Sequence, residues 1–279
     1  MSDSVPTDAA LLAAARIGER PAIEALLERY QGRVFRFGLH MCGDAEDARD
    51  ILQETLLAAA RNIGEFRGEA SISTWLYTIA RSFCVKKRRR SKFAPAEEIS
   101  LEGAAGDLVS SSAGPEELAA RDEIKQALVD VLEALDAPAR EVMILRDIEG
   151  LTAPEVAQIT GETVDAIKSR LHRARADVRA RLSAVLGDAD EPSPAGCPDV
   201  LTAFSKRIEG DLDPRLCAEL QDHVDGCVAC RGRCDSLKRA LAVCSGAPSG
   251  PVPAAVTESV RAALRTELRS LARGPVRLT

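Results

Sequence analysis

Aromatic side chains are scarce in this sequence of 279 residues, which holds one Trp, two Tyr and six Phe. Cores built without them are aliphatic, and with Ala, Leu and Arg abundant this argues against β-sandwiches and for small helical bundles. Eighteen consecutive apolar residues occur nowhere, so no membrane-spanning helix is expected. The start, Met1-Ser-Asp-Ser-Val-Pro6, lacks a basic segment and an apolar run. It does not read as a secretory signal, and a cytoplasmic location is expected. The sequence offers no nucleophile–base–orienter set and no phosphate-binding glycine loop, so it is not read as an enzyme. Internal repeats are missing as well. Positive charge is not in excess either: the formal net charge is −6.

That average hides a segregation. Lys86-Lys-Arg-Arg-Arg-Ser-Lys92 is a dense basic block, and Lys168 to Arg181 carries six Lys or Arg against the single acid Asp177. Between them, Glu97 to Glu123 holds eight acids and one basic residue, Arg121. Local patches, not the total, decide phosphate binding. The cysteines are segregated too: Cys42 and Cys84 stand alone, and the other six lie between Cys197 and Cys244. In a cytoplasmic chain such a cluster beside a His points to metal or redox chemistry before structural disulfides.

Composition divides the chain into helical segments. Residues 9–90 read as one helical domain, 91–114 as a linker rich in Ser, Gly, Ala and Glu, and 115–186 as a second helical domain. A Pro- and Gly-containing boundary precedes the cysteine-rich region, 197–244, and residues 254–273 read as a terminal helix. In the first domain Ala48, Ile51, Leu52, Thr55, Leu56 and Ala59 form an apolar stripe, with Asp44 as N-cap. The opposite face shows Asp47, Asp50, Gln53 and Glu54, which suits a partner surface or an ordinary solvated face. A second stripe, Ile72, Trp75, Leu76, Ile79 and Phe83, runs into the basic block. Trp75 suits either a core or stacking on an unpaired base. Cys42 and Cys84 read as packing residues.

The sharpest local signal is Glu155 to Arg175, which reads as helix, Gly161 turn, helix. Val156, Ile159, Val164, Ile167 and Leu171 supply buried faces. Lys168, His172, Arg175 and Arg179 fall on the outer side of the second helix, flanked by Ser169, Arg170 and Arg173. A DNA-recognition helix needs this division between base readers and phosphate clamps.

Further on, Cys197, His223, Cys227 and Cys230 give C-x25-H-x3-C-x2-C. The last three can share a helical face, and a Cys from another element would complete a tetrahedral zinc site. Cys217, Cys234 and Cys244 are left over. They are candidate sensor residues for softer ions such as copper or cadmium, with reversible disulfide formation as the rival use.

Several of these stretches resemble a known family. Asp50-Ile-Leu-Gln-Glu-Thr-Leu-Leu57 and Phe66-Arg-Gly68 with Ser73-Thr-Trp-Leu-Tyr-Thr-Ile-Ala-Arg81 resemble region two of bacterial sigma factors. Leu151-Thr-Ala-Pro-Glu-Val-Ala157 with Ile167-Lys-Ser-Arg-Leu-His-Arg-Ala-Arg175 resembles region four. Without a region-three domain between them, the pair resembles the extracytoplasmic-function class. The match loosens after Arg81, where Ser82 to Lys86 depart from the Arg-Asn and Asp pattern of many relatives. Residues 197–244 resemble zinc-binding anti-sigma domains, in which a short helix, a Gly turn and a second helix lead to the metal.

The resemblance implies an all-α protein that binds core RNA polymerase through Asp50, Gln53 and Glu54. It implies contacts to the −10 promoter element through Phe66, Arg67, Trp75, Lys86, Arg88 and Arg89. Lys168, Ser169 and His172 would read the −35 element, with Arg170, Arg173 and Arg175 on phosphates. The acidic linker would thread the polymerase channel. It further implies an intramolecular contact of the C-terminal domain with the sigma domains, and control of transcription initiation by metal. The alternatives are a redox-controlled sigma factor and a free-standing helix-turn-helix regulator with a thiol or metal sensor.

Overall fold

The structure, a computed structural model, describes residues 6–91, 115–188, 195–246 and 252–272. The acidic linker lies outside the described residues. All regular structure among those described is helical. The helices are α1 (Asp8–Arg16), α2 (Arg20–Cys42), α3 (Ala45–Asn62), α4 (Ile72–Ser91), α5 (Pro115–Ala134), α6 (Ala137–Met143), α7 (Ala153–Thr160), α8 (Val164–Leu182), α9 (Val200–Ile208), α10 (Pro214–Gly226), α11 (Val228–Ser245) and α12 (Ala254–Ala272). A π-helical turn, Ile144–Ile148, joins α6 to the segment before α7. Among these helices, none is long and apolar enough to cross a membrane.

The helices gather into two compact units, and the grouping does not follow chain order: α1–α4 join α12 in one, and α5–α11 make the other. In the first unit α2, α3 and α4 pack on one another around Leu26, Leu27, Phe37, Leu52, Leu56, Leu76 and Ala80, all almost fully buried. Each such large apolar side chain contributes roughly 1.5–3 kcal/mol relative to exposure. Asp44 caps α3 by accepting from the Asp47 N–H at 2.7 Å, as the sequence pattern led one to expect. Helix α12 lies on α3 and α2. It buries Val260, Leu264 and Leu268, four residues apart, and flanks them with ion pairs Arg261–Glu28 (2.6 Å), Arg265–Glu24 (2.5 Å) and Arg61–Glu267 (2.6 Å). Exposed pairs of this kind add little; the apolar stripe holds the helix.

In the second unit α6, α7 and α8 form the helix-turn-helix. Thr152 and Glu155 close a capping box at the start of α7. Gly161 ends that helix at φ 76°, in the left-handed region where a side chain would be strained. Thr163 caps α8, whose buried side is Ile167, Leu171, Ala174, Val178 and Leu182. Val164 is only half-buried, and Arg179, expected on the outer side, is buried. Helices α9 and α11 pack directly on α8, so the regions expected as separate domains share one unit.

Candidate functional site

Cys197 precedes α9, His223 sits in the last turn of α10, Cys227 joins α10 to α11, and Cys230 is in the first turn of α11. The three later residues do not lie along one helix. Cys227 leaves the helical region at φ −117°, ψ 110°, while its N–H still donates to the His223 carbonyl at 2.8 Å. That corner turns the two helices toward each other around the ligands.

All four ligand atoms lie within 4.8 Å of one another. Cys197 Sγ is 3.9 Å from Cys227 Sγ, and His223 Nε2 is 3.2 Å from Cys230 Sγ. A tetrahedral zinc with ordinary bond lengths places such atoms about 3.5–3.8 Å apart. Three sulfurs and one imidazole at these separations fit zinc. Burial raises the Cys230 thiol to about 12, with its sulfur neighbours adding to the effect; a bound dication would offset that by taking the thiolate.

The three remaining cysteines of this region stand apart from the group. Cys217 points its sulfur at the Leu212 carbonyl, 3.9 Å away. Cys234 belongs to the core formed by Val200, Leu201, Leu220, Cys230 and Leu237. Cys244 is fully buried near the charges of Asp147 and Arg175, and its burial raises it to about 12. None of the three belongs to the four-residue ligand group, although Cys234 shares the small core with Cys230.

Helix α8 carries the second group of expected residues, and α9 meets its face. Lys168 pairs with Asp211. His172 Nδ1 is 2.7 Å from Ser205 Oγ. Arg175, expected on a phosphate, is instead fully buried. Its guanidinium donates to both Asp147 oxygens (2.9 and 2.6 Å), to Glu209 (2.7 Å) and to Ser205 Oγ (2.9 Å). Arg146 in the π-turn reaches the other Glu209 oxygen at 3.2 Å. Two carboxylates and two guanidiniums thus neutralise one another, the condition under which buried charges are tolerated.

Burial lowers the pKa of His172, with Arg175 and Lys206 adding to the effect and Glu209 and Asp211 opposing it. Arg170 turns back to Glu162 at 2.8 Å, while Ser169 and Arg173 remain exposed. Ser205, Glu209 and Asp211 were not singled out in the sequence. The signal there was the acidic turn Glu209-Gly-Asp-Leu-Asp213, but nothing local says which helix it faces.

In the first unit Asp50 and Glu54 are exposed and Gln53 half-buried on α3. Lys87 of α4 bridges Asp47 (2.5 Å) and Asp50 (3.0 Å). Phe66 is buried and in ring contact with half-buried Trp75, centroids 5.2 Å apart. Arg67 and Lys86 are exposed and Arg88 half-buried; the Arg89 side chain lies outside the described residues.

Three family models match the chain. Residues 26–93 match sigma-70 region 2, residues 125–178 match sigma-70 region 4, and residues 197–231 match the family described as "Putative zinc-finger". The RNA polymerase sigma-H factor of Pseudomonas aeruginosa is 30% identical over 180 residues, 62% of this chain and 92% of that protein. The ECF RNA polymerase sigma-E factor of Escherichia coli is 30% identical over 174 residues, 61% of this chain and 91% of that protein. Among solved structures, CnrH in complex with the cytosolic domain of CnrY is 27% identical with a TM-score of 0.47, covering 66% of this chain and 99% of that one.

Proposed function

The chain belongs to the extracytoplasmic-function family of RNA polymerase sigma factors, and from that premise we propose that its cysteine-rich domain controls it by occupying the helix that reads the −35 element. Sigma factors bind core RNA polymerase and promoter DNA and are not themselves catalysts. In this reading Asp50, Gln53 and Glu54 dock on the polymerase. Arg67, Trp75, Lys86, Arg88 and Arg89 hold the −10 region, with Phe66 packed beneath Trp75 as its support. Helix α8 enters the major groove.

The observation that carries the proposal is the pairing of Lys168, His172 and Arg175 with Asp211, Ser205 and Glu209. The Asp211 and Glu209 carboxylates and the Ser205 hydroxyl engage side chains that base edges and phosphates would otherwise take. DNA and the α9 segment are therefore competing ligands of one surface, and the sigma factor rests in a closed form. Transcription requires the segment to leave.

Metal is the natural control. With zinc bound, Cys197, His223, Cys227 and Cys230 join the segment before α9 to the α10–α11 corner, which fixes α9 against α8. Copper or cadmium, softer and content with more sulfur, would favour another ligand set. Since Cys217, Cys234 and Cys244 are not among the four grouped ligand atoms, and Cys234 is part of the packed core beside Cys230, recruiting any of them requires the small domain to repack. Repacking is what would release α9.

The test is binding of a −35 duplex to the full-length protein and to a Glu209→Gln, Asp211→Asn double variant, with and without cadmium or copper. The variant should bind about ten-fold or more tighter, as expected for losing a competing charge pair. Added metal should tighten the wild type toward the same value. Equal affinities for both proteins would exclude the competition, and a response to oxidant alone would replace metal with redox control.

A further inference from the structure

A cavity of about 400 Å³ opens among α9, α10 and α11. Helix α9 gives Ser205 and Glu209 to Arg175 of α8, and Phe204, Arg207 and Ile208 to this cavity. Leu220 and Cys234, both buried, form its floor, and half-buried Val224 completes the wall begun by Phe204 and Ile208. Arg207 and Lys238 also line it and are exposed, which places them at the mouth. The volume falls within the range of ordinary small-ligand sites, about 300–1,000 Å³.

We infer that this cavity binds the anion of a medium-chain carboxylic acid, with its tail on the apolar walls and its carboxylate taken by Arg207 and Lys238. Among the described residues lining it there is no acidic side chain, and Gln221 is the one uncharged amide. Two cations at the mouth of an apolar cavity suit a ligand with one anionic end and an apolar body. A sugar or nucleotide would bury hydroxyls against Phe204, Ile208 and Val224 without partners, at a cost of about 1–3 kcal/mol each. Both cations are weakly engaged. Arg207 Nη1 donates to Gln221 Oε1 at 3.3 Å, and Lys238 pairs with Asp235 at 2.9 Å, both side chains of that pair being about half exposed. An ion pair so open to water contributes little and yields readily to a ligand. Lys238 Nζ already stands 5.7 Å from the Phe204 ring centroid, over the apolar wall.

The floor of the cavity belongs to the same core as the metal group. Leu220 and Cys234 pack in one cluster with Cys230, which is also one of the four grouped ligand residues. The carboxylate and the zinc therefore need the same arrangement of α9, α10 and α11. By linkage, each stabilises the protein with the other bound. This link rests on the zinc reading; the cavity and its charges do not. The domain thus takes a small-molecule input beside its metal, at a site separate from the α8 face.

The experiment titrates the full-length, zinc-loaded protein with decanoate, below its micelle concentration, by calorimetry, with decanol as the neutral control. Decanoate should bind at one saturable site, and decanol about ten-fold or more weaker, as expected for losing a charge-assisted contact. Arg207→Gln with Lys238→Gln, two exposed positions, should weaken decanoate by a similar factor and leave decanol unchanged. Val224→Trp should fill the cavity and abolish binding of both, with zinc retained. Saturating decanoate should also slow zinc loss to excess EDTA several-fold. The inference is overturned if decanoate shows no saturable binding, if decanol or the Gln variant binds as the wild type binds decanoate, or if Val224→Trp with zinc retained binds undiminished. Zinc loss at an unchanged rate would overturn the link to the metal core. None of these readouts involves DNA, so this proposal and the −35 competition can each fail alone.

Discussion

Helices α3 and α8 present charged faces of opposite sign, acidic on α3 and basic on α8, and the chain treats them differently. On α3, Asp50 and Glu54 stay exposed and only Lys87 reaches across, while the apolar side is covered by the core and by α12. On α8, the polar face is itself the packing surface: Arg175 is fully buried, and α9 with its acidic turn supplies Ser205, Glu209 and Asp211. A polar helix face is thus open or filled according to what the rest of the chain brings to it. Filling one with charged groups commits the fold to keeping every charge paired, whereas an open one leaves its groups to water and partners.

The largest effect expected from breaking this contrast comes from the metal group. Cys230→Ser should abolish zinc binding and unfold α9–α11, since metal binding in small zinc domains is worth about 10–16 kcal/mol and is linked to folding. The α8 face would then be as open as that of α3, and affinity for −35 DNA should rise. Bound zinc, helicity by circular dichroism and duplex binding measure the three consequences.

Next in size is Arg175→Ala, which leaves Asp147 and Glu209 buried without their central cation. A loss on the order of 3–5 kcal/mol is expected by urea unfolding of the full chain. Asp50→Ala with Glu54→Ala on the open face should change stability by less than about 0.5 kcal/mol, while weakening association with core polymerase. Comparable losses in the two variants would erase the distinction between the filled and the open face.

Serine in place of Cys234 or Cys244 buries a hydroxyl and should cost about 1–3 kcal/mol, with zinc retained because neither sulfur belongs to the ligand group. If either variant loses zinc, the four-residue assignment is incomplete.

The smallest effect is one of pH. In the closed arrangement His172 is held below its ordinary value of 6.5, chiefly by burial and next by Arg175. The released form therefore binds more protons. The closed form has its full stability above the ordinary histidine value and loses it as pH falls through that value. Hydrogen exchange of α9 amides should accelerate on acidification, and His172→Gln should remove that dependence. Acceleration persisting in the variant would assign it to other groups.

Much of this was legible in the residues themselves. The period of apolar residues marked α3 and α8, Asp44 and Gly161 marked a helix start and a turn, and the spacing of Cys197, His223, Cys227 and Cys230 named a ligand set. Those signals are local: a helix stripe repeats every three or four residues, a cap acts within one turn, and zinc needs a particular set of atoms. The kink at Cys227 was missed because His-x3-Cys suits a continuous helix equally well. Two facts were decided only by tertiary structure. Arg175, read from sequence as an outward-facing residue, went into a buried ion cluster, and α12 returned to the first unit. Each depends on which faces pack, and packing matches whole surfaces contributed by residues far apart in the chain, a property that no window of the sequence contains.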